Sequence, residues 1–275
     1  MDVFLNAYSP DVPDVELSAL KALHWDGLRR DVHLVDSVPR LLDQHRRAGL
    51  RLLLLLEKWG SVQLRAEQVL RILATEGATR DEVALEPGNE WDLAKAGVSP
   101  IDAGRLWRAV AQAGRAISPE TPIVTGGISS LSDPALRWLR IALAECTDEP
   151  GLIVGFHAYR TRLRPADPPM RLGEIGALRA IAWGRRLWNT EQGWHTASQK
   201  RDFPRCWSSW RWTDIQVTDF LVQDAQIHAQ ARVEVYCVYQ IVDGPSDTAL
   251  ERFGIKDYAG EWKPQAMVAN LFHAA

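Results

Sequence analysis

Arg51-Leu52-Leu53-Leu54-Leu55-Leu56-Glu57 sets an unbroken leucine run between two charged residues. A strand with one wet face alternates apolar and polar side chains, whereas a continuous apolar run suits a strand buried on both faces, as in a parallel sheet covered by helices. The run is also far short of the ~20 apolar residues that span a bilayer.

Working outward, similar short runs occur at Val3 to Ala7, Trp25 to Val32, Val83 to Glu86, Pro122 to Gly126, Leu152 to His157, Arg186 to Thr190 and Val233 to Tyr239, making eight in all. Between them lie stretches with apolar residues at helical spacing: Val15 to Leu23, Val38 to Ala48, Gln63 to Glu76, Pro100 to Ile117, Pro134 to Ala144, Leu172 to Ala182, Thr213 to Ala231 and Pro264 to Phe272. Ser99 and Asp133 stand before Pro100 and Pro134 as N-cap types ahead of a helix-starting proline. Strands alternating with helices imply βαβ units, and eight units in 275 residues match a closed (β/α)8 barrel. An open doubly wound sheet would want a Gly-rich turn after the first strand, and Asn6-Ala7-Tyr8-Ser9-Pro10 is not one. No Gly/Ser tract, Pro tract or charge block divides the chain, so residues 1–275 are read as one domain.

The formal net charge of -3 offers no field for a polyanion, which argues against nucleic acid as a partner. Cys146, Cys206 and Cys237 lack metal-ligand spacing and are expected as incidental thiols. Met1 leads straight into a strand-like run without the basic and apolar regions of a leader. The chain therefore reads as soluble with no membrane partner, cytoplasmic as it stands and secreted if a leader has been removed. Twelve tryptophans are more than a core ordinarily uses, and indole faces stack on the C–H faces of sugars.

Barrel enzymes carry their chemistry at the C-terminal ends of the strands. After the fourth run comes Glu86-Pro87-Gly88-Asn89-Glu90-Trp91-Asp92, and after the seventh comes Thr190-Glu191-Gln192-Gly193-Trp194. Each sets a glutamate beside a tryptophan. Two carboxyls facing across the mouth can divide the labour of glycoside cleavage, one protonating the leaving oxygen and the other attacking the anomeric carbon.

These motifs resemble those of clan A of the glycoside hydrolases, typified by families 5 and 39. The resemblance implies a retaining hydrolase of β-linked glycosides or polysaccharides, with Glu90 as general acid/base and Glu191 as nucleophile. Asn89 would bind the sugar 2-hydroxyl, and in the similar His157-Ala158-Tyr159 segment the tyrosine would touch the nucleophile. Gly27-Leu28-Arg29 resembles the segment whose arginine keeps the nucleophile ionised; strand alternation admits only Arg29 or Arg30 to the lumen. Glu191's charge would in turn raise the pKa of Glu90. Where the clan commonly ends its eighth strand in tryptophan, this chain has Tyr239-Gln240. Its third strand ends in Glu57-Lys58-Trp59, where family 5 often has histidine.

Trp59, Trp91, Trp194, Tyr239 and Gln240 are thus expected to join Arg29, Asn89, His157 and Tyr159 in binding a carbohydrate substrate, with Glu57 a further candidate. The segment from Cys206 to Trp212 reads either as an aromatic loop over the cleft or as a small core pinning that loop. No metal or organic cofactor is expected: the seven histidines form no evident ligand set, and only Lys58 approaches a Schiff-base position. The competing reading is a catalytically idle carbohydrate-binding barrel.

Overall fold

The computed structural model describes residues 1–7, 12–57, 61–159, 168–194, 196, 212–243, 245 and 252–274. Seven parallel strands form one sheet: β1 (Asp2–Ala7), β2 (Gly27–Asp31), β3 (Arg51–Leu56), β4 (Val83–Pro87), β5 (Val154–His157), β6 (Leu187–Gln192) and β7 (Val235–Tyr239). Their order around the sheet is β4-β3-β2-β1-β7-β6-β5, with β1 bonded to both β2 and β7. Helices α1 (Asp14–Ala22), α2 (Val38–Ala48), α3 (Val62–Thr75), α4 (Pro100–Ile117), α5 (Asp133–Ala144), α6 (Pro168–Ala182), α7 (Asp214–Gln230) and α8 (Val268–Ala274) cover it.

The expected strand at Pro122 to Gly126 departs from regularity. It fills the gap between β4 and β5 through single bridges, Leu85 to Ile123 and Asn89 to Gly127 on one side, Val124 to Ile153 and Ile128 to Phe156 on the other. Two causes lie in its residues. Pro122 has no N–H to give, so it only accepts, from Leu85. Farther along, Thr125 uses its side-chain oxygen to take the Gly155 N–H at 2.9 Å. The ring is thus an αβ barrel of seven continuous strands and one broken stave.

The five leucines of β3 are all buried, as their unbroken run predicts. Those of one phase pack under α2 and α3, while Leu53 enters the lumen with Phe4, Ala84, Val124, Ile153, Trp188, Val235 and Cys237. This lumenal layer plugs the lower barrel, so any reactive group must sit above it. Ser99 caps α4 by accepting from the Asp102 N–H at 3.1 Å. At α5 the cap position falls on Ser132, and Asp133 is already the first helical residue. Thr213 and Gln216 form a reciprocal capping box at the start of α7. Cys146 and Cys237 are buried and free, and Cys206 lies outside the described residues. No helix among the described residues is long and apolar enough to cross a membrane.

A side chain on Gly155 would place its first carbon 2.4 Å from the Thr125 carbonyl oxygen. Gly155→Ala should therefore push β5 off the broken stave and lower stability by roughly 1–3 kcal/mol. Denaturant unfolding is expected to show this as a lower midpoint at unchanged slope.

Candidate active site

Above the lumenal plug, the strand ends converge on a charged cluster centred on Arg29. Its side chain has no solvent exposure, and its Nε donates to Glu86 at 2.6 Å. One terminal nitrogen donates to Glu191 at 3.0 Å, and the other to Glu86 at 3.2 Å and Asn89 at 2.8 Å. Burial alone would lower the Arg29 pKa, but Glu86 and Glu191 more than reverse this, so the guanidinium stays charged. Arg29, rather than Arg30, is the lumenal arginine of β2.

Glu191 collects three donors. Besides Arg29, Tyr159 donates its hydroxyl to the other carboxylate oxygen at 2.7 Å, and the Asn6 amide approaches at 3.4 Å. Burial pushes the Tyr159 phenol far above its ordinary pKa, and the Glu191 charge adds to it, which keeps the O–H a donor. His157 stands between the two candidate carboxylates, its Nδ1 3.1 Å from Glu90 and its Nε2 4.0 Å from Glu191. Oxygens of Glu90 and Glu191 and a His157 nitrogen all lie within 4.8 Å of one another. This trio is the one group among the described residues that could converge on a metal ion, and Arg29 already brings a positive charge to it.

The protonation pattern corrects one expectation. Burial raises the pKa of Glu90, but the hydrogen bond and charge of His157, aided by Lys95 and Arg29, outweigh it and hold Glu90 below its ordinary range. His157 moves the other way: burial lowers its pKa, while the charge of Glu191 and the hydrogen bond and charge of Glu90 raise it to a net increase. The sequence reading counted only Glu191's repulsion. The imidazole between the carboxyls reverses the balance.

Backbone geometry presents Glu90 to the mouth. Gly88 has φ of 114°, and a side chain there would run into the Trp91 ring. Glu90 itself has φ of 49°, a left-handed conformation that costs a non-glycine residue of order 1 kcal/mol. Its N–H is held by the Gly127 carbonyl at 2.8 Å. The Trp91 ring beneath this turn is 5% exposed and stacks on Trp107 with centroids 6.2 Å apart. Trp194 is 4% exposed and packs edge-on against Phe220. Both indoles, expected from sequence as sugar contacts, are nearly closed to solvent and pack against core aromatics. Trp212 also packs against Phe220, which gives the end of the aromatic segment its small core; residues 206–211, like Trp59, lie outside the described ones.

Tyr239 and Gln240 are half-buried at the end of β7, and Glu57 is exposed. Glu57, Asn89, Glu90, Trp91, Lys95 and Ala96 line a hollow of about 300 Å³ beside the carboxylates. A larger hollow of about 630 Å³ lies at the opposite barrel end, around Pro122, Leu152 and Arg186, where the strands begin. Active residues of this architecture belong at the other end.

Three site residues were not singled out from sequence. Glu86 is fully buried and also accepts the Gly127 N–H at 3.1 Å; its signal was a charge in phase with Ala84 inside an apolar strand. Asn6 was legible only as the polar end of the first strand. Phe253 contacts both Tyr159 and Tyr239, with centroids 6.1 and 5.5 Å away, and makes an aromatic wall. Its segment is tied to the end of β7: Gly254 donates its N–H to Asp243 and Ile255 to the Gln240 carbonyl.

No family model matches the chain, and no curated protein does so. Solved structures do. An exo-β-1,4-mannosidase from Opitutaceae bacterium strain TAV5 superposes with a TM-score of 0.70 at 15% identity, over 100% of this chain and 59% of that one. The present chain therefore spans less than two thirds of that enzyme. A family 17 β-1,3-glucanosyltransferase from Rhizomucor miehei gives 0.69 at 11% identity, covering 96% of both chains. A family 5 glycoside hydrolase from Prevotella bryantii B14, solved with a xyloglucan tetradecasaccharide, gives 0.67 at 12%, covering 99% of this chain and 95% of that one. At such identities the likeness is one of fold: the chain is built on the (β/α)8 barrel of these glycoside hydrolases.

Two outcomes follow from the charge arrangement. Arg29→Met leaves Glu86 buried without its counterion and should cost roughly 3–5 kcal/mol in urea unfolding, partly restored by adding Glu86→Gln. Burial, with Glu57 and Glu86 adding to it against the attraction of Arg29, lifts Asp31 from 3.8 to about 6. The folded protein thus favours the protonated acid, a contribution complete below pH ~4 and lost as pH rises toward 6. Melting temperatures between pH 4 and 7 should fall with this sign in the native protein and flatten in Asp31→Asn.

Proposed function

We propose that this barrel is a retaining glycoside hydrolase that cleaves a β-linked glycoside or polysaccharide by double displacement. The observation that carries the reading is that an oxygen of Glu90 and an oxygen of Glu191 come within 4.8 Å of each other across the mouth. Retaining pairs stand ~5–5.5 Å apart, whereas inverting pairs are wider because a water sits between them. Glu191, ringed by Arg29, Tyr159 and Asn6, is the anionic nucleophile. Its oxygen attacks the anomeric carbon as the glycosidic oxygen departs.

Glu90 supplies the proton to that departing oxygen. Glu90 shares a hydrogen bond with His157 and is the member of the pair that opens to the cleft, with 24% side-chain exposure against none for His157, so a proton held by the pair reaches the departing oxygen through Glu90. Once Glu191 is esterified its charge is gone, and Glu90 takes a proton from the water that releases the sugar. Asn89, with its oxygen engaged by Arg29, keeps its amide nitrogen for a sugar hydroxyl. Tyr239, Gln240 and Trp59 are proposed as further sugar contacts, with Phe253 as an apolar wall.

Activity on a panel of aryl β-glycosides and β-glucans tests the assignment. Glu90→Ala should lower turnover on the order of 10²–10⁴-fold, least for substrates with good leaving groups, and azide should restore it by forming a β-glycosyl azide. Glu191→Ala should be as impaired, and azide should yield product of inverted configuration. Near-full activity in both variants would sink the proposal, and saturable sugar binding without hydrolysis would point to the idle barrel instead.

A further inference from the structure

Glu191 faces the lumen only because β6 carries an extra residue. Trp188 packs inside the barrel, and Asn189 turns outward to α7. Simple alternation from there would send Glu191 out and Gln192 in. Instead the register slips: β5 advances one residue from Phe156 to His157 while β6 advances from Asn189 to Glu191. Against β7, the step from Tyr236 to Val238 is matched on β6 by the longer step from Asn189 to Gln192. A bulge of this kind re-aims a side chain, and it persists only where its surroundings fix it.

Both flanks of the bulge are gripped from outside by α7. Gln192 donates its amide to Asp224 at 3.0 Å, and Asn189 meets His228 Nε2 at 3.1 Å. In either orientation of its amide, Asn189 also bonds Glu191's own backbone, the N–H at 3.4 Å or the carbonyl oxygen at 2.9 Å. The grip is itself secured. Asp224, with no exposure, also accepts from Arg171 on α6 at 2.9 Å and from the Tyr236 hydroxyl on β7 at 3.0 Å. His228 Nδ1 lies 2.7 Å from the Asp224 carbonyl oxygen, and its ring packs between Phe156 and Tyr236. A helix–sheet seam can be filled by aliphatic side chains alone, and burying a carboxylate there carries a desolvation cost of several kcal/mol. Toward β6, this carboxylate bonds Gln192 and the His228 ring bonds Asn189, the two residues bracketing the bulge.

We propose that Asp224 and His228, one turn apart on α7, are positioning residues that clamp the β6 bulge and so aim the Glu191 carboxylate at the substrate. This rests on Glu191 being the nucleophile. Neither residue reaches the lumen; both act through Asn189 and Gln192.

The test uses 2,4-dinitrophenyl 2-deoxy-2-fluoro-β-glycosides of the gluco, manno, galacto and xylo series. Glu191 oxygen bonds to the anomeric carbon, dinitrophenolate leaves with the bonding pair, and the fluorine slows hydrolysis of the ester, so trapping reads the aim of the nucleophile directly. The native protein should release one dinitrophenolate per chain and carry the sugar on the Glu191 peptide. Asp224→Asn and Gln192→Met should trap about tenfold to a hundredfold more slowly, with the half-saturating probe concentration changed less than threefold. Gln192→Met leaves the Arg171–Asp224 pair intact and decides the matter if Asp224→Asn does not fold. Val217→Ala, which thins the buried face of the same helix, should lose stability yet trap at the native rate. Native trapping rates in folded Gln192→Met and Asp224→Asn would overturn the clamp while leaving the hydrolase reading in place. Slowing in Val217→Ala equal to that in Gln192→Met would also overturn it. A native protein labelled by no probe, or labelled elsewhere than Glu191, would remove the reading and the clamp together.

Discussion

A guanidinium sealed in the barrel lumen organises everything above the plug. Arg29 has no water to solvate it, so its donors must be met by protein, and Glu86, Asn89 and Glu191 meet them from β4, the turn after it, and β6. The buried Glu86 is its permanent counterion; both of its oxygens are engaged by Arg29, and one also accepts from the broken stave at Gly127. Glu191 is therefore held by the arginine without being its sole partner. Four segments distant in sequence are fixed to one another by charge, which is the kind of preorganisation that reactive carboxylates require.

Apart from the broken stave, the lower barrel is regular. Toward the mouth β6 gains a residue and Glu90 takes a positive φ, while the stave at 122–128 pairs only through single bridges along its length. Each irregularity lies next to a member of the charged cluster. Gly127 illustrates the coupling, since any side chain there would meet His157 and Thr190. The broken stave thereby leaves room for the imidazole that separates Glu90 from Glu191.

The lower barrel was legible because it obeys short-range rules. The leucine run of β3 and the alternation of strand and helix suffice to specify a parallel barrel, and the strand-end rule points to Glu90 and Glu191. What escaped notice depends on contacts between distant segments. Glu86 and Asn6 gain meaning only when Arg29 is brought beside them, and Phe253 only when the chain after β7 folds back over Tyr159 and Tyr239. Trp91 and Trp194 sit in the expected motifs, but a strand-end position does not say whether an indole turns up to the cleft or down into the core. The downward pKa shift of Glu90 was missed for a similar reason, because it depends on which atom of His157 approaches it.

The backbone at residue 90 suits glycine better than glutamate. Conformational preference and chemistry thus pull in opposite directions at the same site. Under selection for heat resistance alone, that position would be expected to drift toward glycine, and the barrel would grow sturdier while losing the carboxyl group proposed to act at its mouth.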